Sequence, residues 1–71
     1  MVDEIDIKKV TQIAMDQAQD ANLPIIFTKV VSVKKNEDGN WVVKLNVANR
    51  DFYTCVVDKV GKIIGWEKTK E

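Results

Sequence analysis

Two periodicities divide the chain. Over residues 4–21 apolar side chains recur every three or four positions: Ile7, Val10, Ala14, Ala18 and Ala21, bordered by Ile13 and Gln17. That spacing places them on one face of a helix. Lys8, Lys9, Gln12, Asp16, Gln19 and Asp20 fill the other side. Asp3 is the expected N-cap, and Glu4 and Asp6 in the first turn complement the positive end of the helix dipole. Asn22 can adopt the left-handed conformation after the helix, and Pro24 prevents its continuation.

From Ile25 onward the period is two. Strands are predicted over 26–35, 41–48, 52–58 and 62–67. Asp38-Gly39 is a hairpin signal. Residues 48–51 form a short turn, and Asp58-Lys59-Val60-Gly61 a tight one with Gly61 suited to positive φ. Short turns between consecutive strands favour a meander in the order 1-2-3-4. The expected fold class is therefore α+β: an N-terminal helix packed on one face of a four-stranded antiparallel sheet, with residues 1–71 as one domain.

Alternation assigns the faces. Trp41, Val43, Leu45 and Val47 should meet the helix, with Tyr53, Cys55 and Val57 beside them. Val31 and Val33 form the corresponding set on the first strand. On the fourth, Ile64 and Trp66 are expected to face the helix, with Ile63 outside. One helix covers only one side. The open side should then show Val30, Val42, Phe52, Val56 and Ile63, mixed with Thr28, Ser32, Lys34, Lys44, Asn46 and Thr54. A sheet face in water usually alternates more cleanly to polar residues. Val30, Val42, Lys44, Phe52, Val56 and Ile63 are accordingly the candidate partner-binding residues, for a protein partner or a homodimer.

Composition narrows the chemistry. Hydrophobic residues make up 45% and charged residues 31% of 71 positions, which fits a folded globule. So short a chain buries only roughly 60% of its unfolded surface, so stability is marginal and partners matter. Net charge is zero, so nucleic acid is not the expected partner, and a weak binder of nucleic acid or a small ligand is the third reading after two protein-contact ones. Trp41, Phe52, Tyr53 and Trp66 could stack bases, but strand packing explains them. Charge is nonetheless uneven, with five acids and two lysines in residues 1–24 against nine basic and six acidic residues in 25–71. No stretch reaches the ~20 apolar residues of a membrane span, and no signal peptide is visible. The expected location is the cytoplasm, with no membrane partner.

No catalytic, metal or cofactor site is expected. Cys55 is the only cysteine and there is no histidine, so neither a disulfide within the chain nor a base to activate the thiol is available. Mid-strand among apolar neighbours, Cys55 reads as a small core residue. The carboxylates lie in caps and turns, where acids stabilise local geometry. Asn36, Asp38 and Asn40 have the alternate spacing of a calcium loop but lack its flanking helices and distal glutamate.

Residues 31–68 carry one family likeness. Asp38-Gly39-Asn40-Trp41 opens a strand. Tyr53-Thr54-Cys55-Val56-Val57-Asp58 and Gly61-Lys62-Ile63-Ile64-Gly65-Trp66 follow. This run resembles the O-type gas-vesicle accessory proteins, in which a helix leads into strands. There an acid-Gly-Trp hairpin precedes a Tyr-x-Val-x-hydrophobic-Asp strand and a closing Gly-x-hydrophobic-hydrophobic-Gly-aromatic strand. It is also similar to PepSY-like small domains, which share the strand-Asp-x-x-Gly-strand ending. The resemblance implies a non-enzymatic role in assembly through protein contacts or, on the PepSY-like alternative, in regulation or inhibition of a larger protein.

Overall fold

A computed structural model describes residues 5–69. Helix α1 spans Ile7–Asp20 and a single 3₁₀ turn spans Ile25–Phe27. Four strands follow: β1 (Thr28–Lys35), β2 (Trp41–Val47), β3 (Asp51–Val57) and β4 (Ile63–Thr69). They form one antiparallel sheet in the order β1-β2-β3-β4, with α1 packed on one face. The α+β meander is the predicted fold.

The helix begins later than its periodicity suggested. Asp6 is the N-cap, its carboxylate accepting from the Lys9 N–H at 2.9 Å. The expected cap Asp3 and Glu4 lie outside the described residues. Val10, Ala14 and Ala18 are fully buried, but Ile7 and Ala21, expected on the same face, are exposed. Ile7 is the first residue of the helix and Ala21 its C-cap, one at each end. The two alanines between them let the helix backbone lie close to the sheet. Ile5 ties the chain to the far end, donating to the Lys59 carbonyl at 3.2 Å.

The β1–β2 and β3–β4 hairpins share one construction. In the first, the Asn36 Oδ1 accepts from the N–H groups of Asp38 and Asn40, both at 3.0 Å. In the second, the Asp58 Oδ1 accepts from Val60 at 3.0 Å and Lys62 at 2.8 Å. The glycine of each, Gly39 at φ 81° and Gly61 at φ 98°, takes the left-handed position. Thus the alternate oxygens of residues 36–40 serve a turn: Asn36 is already committed to backbone donors. The β2–β3 turn differs, with Ala48 and Asn49 both at φ 57°, the type I′ geometry that suits strand twist.

The core lies between helix and sheet. Val10, Ala14 and Ala18 meet Val43, Leu45, Cys55 and Val57, ringed by side chains that include Ile13, Leu23, Trp41 and Tyr53. Tyr53 stacks on Trp66 with centroids 5.2 Å apart.

Two register shifts alter the expected faces. In β1 the pairing passes from Val30–Leu45 to Ser32–Lys44, leaving Val31 as a bulge. In β4 it passes from Gly65–Val56 to Ile63–Val57, leaving Ile64 as a bulge. One extra residue moves everything beyond it to the other face. Val30 and Thr28 therefore stand on the helix side, not the open side. Ile63, not Ile64, packs on the core, while Val31 and Ile64 are exposed. Trp66 faces the helix as expected, opposite Cys55.

Candidate functional site

The open sheet face can be built row by row from the strand pairings. Lys34, Val42, Val56 and Gly65 form one row across the four strands. Ser32, Lys44, Thr54 and Glu67 form the next, and Lys29, Asn46, Phe52 and Thr69 the last. Four of the six candidate residues, Val42, Lys44, Phe52 and Val56, thus share this face. Val30 and Ile63 do not, for the reason just given.

The apolar part is small. Val42 and Val56 are directly opposed cross-strand neighbours. Phe52 lies two rows away on β3, and the Lys44 ammonium stands over its ring at 5.1 Å, a geometry that favours both groups electrostatically. Val42, Val56 and Phe52 are all half-buried. The polar groups are largely engaged. The hydroxyls of Thr54 and Thr69 are hydrogen-bonded at 3.2 Å, and Asn46, itself buried, donates to the Asp51 carbonyl at 3.4 Å. Lys29, Lys34 and Lys44 against Glu67 make the face basic.

Cys55 lies on the opposite side of the sheet, fully buried. Burial in apolar surroundings pushes its thiol up from 9.0 to about 11, because the charged thiolate is the form that desolvation penalises. The thiol is thus held protonated and out of reach. Among the described residues no group of His, Cys, Asp or Glu is placed to hold a metal ion, and no helix is long and apolar enough to cross a membrane.

The strongest apolar exposure falls where alternation did not point. Ile26 is 86% and Phe27 59% exposed. Both fall within the strand predicted over 26–35, yet they occupy the 3₁₀ turn before β1. The run Pro24-Ile25-Ile26-Phe27 held the signal: three successive large apolar residues after a proline do not alternate.

No protein-family model, curated protein or solved structure matches the chain. The family expectation accordingly stands on the motif of residues 38–66 alone.

Proposed function

We propose that the chain is a non-enzymatic protein-interaction module of the cytoplasm whose contact surface is the open sheet face. The supporting observation is the opposed Val42–Val56 pair, on a sheet face that no described element covers. Neighbouring strands lie ~4.8 Å apart, so the two valines make one continuous apolar step. Phe52, beneath Lys44, adds a separate apolar group two rows away, and Lys34 and Lys44 supply a basic rim. A flat protein surface with apolar side chains and flanking carboxylates is the complementary partner. A second copy fits this face less well, because stacking it on itself would set three lysines against three lysines with one glutamate from each copy. The motif resemblance supports an accessory role in gas-vesicle assembly as the specific form of this function.

The test is the double substitution Val42→Glu with Val56→Glu, both at half-exposed positions. Circular dichroism first establishes that the fold is kept. Affinity capture is then run with parent and variant as baits. Loss of the parent's specific partners from the folded variant is the expected result. Retention of the same partners at the same yield would overturn the assignment of this face.

A further inference from the structure

A second surface, separate from the open face, lies at the end of the molecule where α1 stops and β1 starts. Its centre is the 3₁₀ turn carrying Ile26 and Phe27. The turn is fixed by four hydrogen bonds, one of them from the Thr28 N–H to the Ile25 carbonyl. Phe27 N–H and the Thr28 hydroxyl each donate to the Pro24 carbonyl at 2.9 Å, and Ala48 N–H donates to the Phe27 carbonyl at 2.8 Å. The exposed side chains thus sit on a backbone that is already ordered, which lowers the entropy cost of burying them against a partner. Beside them is a groove of about 210 Å³ lined by Ile26, Phe27, Thr28, Lys29, Ala48 and Asn49. Its far wall is the β2–β3 turn. There Ala48 holds a left-handed conformation that a residue with a Cβ adopts at some cost.

We propose that two copies of the chain associate end to end through this tip, Ile26 of each copy entering the groove of the other. The first argument is shape. A projecting aliphatic side chain next to a groove able to take one is the arrangement a two-fold interface requires, since each copy must offer the same patch to the other. The second argument is charge. Asp20 ends α1 in the helix layer and is exposed. Lys29 is exposed and belongs to the opposite, open side, paired with Asn46. A two-fold axis across the tip, parallel to the sheet and perpendicular to its strands, sets the helix layer of one copy against the open layer of the other. Asp20 then meets Lys29 of the partner subunit, and Lys29 meets Asp20 of the partner subunit. The contact is confined to one end of the molecule, so the dimer belongs among small, weak interfaces. Its two open faces point in opposite directions, so the pair would present that face twice.

The experiment is a dilution series of the full chain, ¹⁵N-labelled, from ~2 mM to ~20 μM, followed by amide shifts and sedimentation velocity. Concentration-dependent shifts are expected at Asp20, Ile26, Phe27, Lys29, Ala48 and Asn49. Ile26→Asp should weaken association about tenfold or more. Because Ile26 is 86% exposed, the substitution leaves the core untouched, and Ile26→Ser provides an uncharged second variant. Asp20→Lys should weaken association severalfold, and adding Lys29→Asp should restore it. A parent that stays monomeric at ~2 mM overturns the proposal. So do shifts confined to Val42, Phe52 and Val56, or Ile26 variants that associate as the parent does. Vesicles of phosphatidylcholine and phosphatidylglycerol test the competing occupant. A monomeric parent whose tip resonances broaden only with vesicles would replace the second copy by a lipid surface.

Discussion

The two central strands and the two edge strands obey different rules. Along β2 and β3 every residue pairs without interruption, from Trp41–Val57 to Val47–Asp51. Along β1 and β4 each ladder is broken once, at Val31 and at Ile64. A central strand is bonded on both sides, so an extra residue would disturb two ladders. An edge strand has one ladder and can absorb the insertion. Each bulge also roughens an edge that a stray strand could otherwise extend. Strict alternation is thus a property enforced by neighbours, and it fails where there is a neighbour on one side only.

The sharpest way to break this comparison is to cut into a central strand. Leu45 is fully buried between β1 and β3 beneath α1. Leu45→Ala should cost ~2–5 kcal/mol, enough to unfold much of so small a domain. Denaturant unfolding followed by tryptophan fluorescence reads it. A loss below ~1 kcal/mol would mean that the central core is loosely packed.

Cys55 tests the same core through pH. Its folded thiol titrates near 11, above the ordinary 9.0. The folded state therefore holds the proton more tightly than the unfolded chain. The resulting stability is fully present below pH 9 and is lost as pH rises towards about 11. Parent stability should fall across that window by more than that of Cys55→Ala, which lacks the titrating group. Thiol labelling of the parent should keep pace with unfolding. Rapid labelling under native conditions, or identical pH profiles for the two proteins, would put Cys55 outside the core.

The hairpins joining edge to centre rank next. Asp58 accepts two backbone N–H groups across the β3–β4 turn. Asp58→Ala should cost about 1–2 kcal/mol, by analogy with the loss of a helix cap. Asp58→Asn should cost less than about half of that, because Asn36 makes the same pair of bonds in the other hairpin. Equal losses would show that charge, not turn geometry, is what the position needs.

These contrasts explain what the sequence made legible. Turn chemistry is local, so Asp38-Gly39 and Asp58-x-x-Gly61 gave the hairpins and with them the strand order. The faces of β2 and β3 followed from alternation because both neighbours enforce it. Bulges left no separate mark. Val30-Val31 and Ile63-Ile64 are β-branched doublets, but so are Val42-Val43 and Val56-Val57, which contain no extra residue, the shift opposite Val56-Val57 being taken up by β4. Only position at the sheet edge separates them, and that is a property of the assembled sheet. The candidate face lost Val30 and Ile63 for this reason and kept Val42, Lys44, Phe52 and Val56. The 3₁₀ turn escaped for another. Its conformation is set by hydrogen bonds to Pro24 and Ala48, and the second of these partners is 21 positions from Phe27 in the chain.

The smallest expected effect is the most direct test of the bulges. Ile63 and Ile64 are chemically identical neighbours on β4. Ile63 lies opposite Val57 and packs on the core, whereas Ile64 has no cross-strand partner and is 52% exposed. Ile63→Ala removes half-buried carbons and should cost ~1–2 kcal/mol. Ile64→Ala removes carbons that already touch water and should change stability by less than ~0.5 kcal/mol, most of it strand propensity. Without the bulge the order would reverse, because strict alternation through Trp66 places Ile64 on the core. Val30→Ala and Val31→Ala on β1 form the matching pair, with Val30 packed on the core and Val31 exposed. Agreement at both edges would locate the extra residue of each strand from stability measurements alone, and a reversed order at either edge would remove the bulge assigned there.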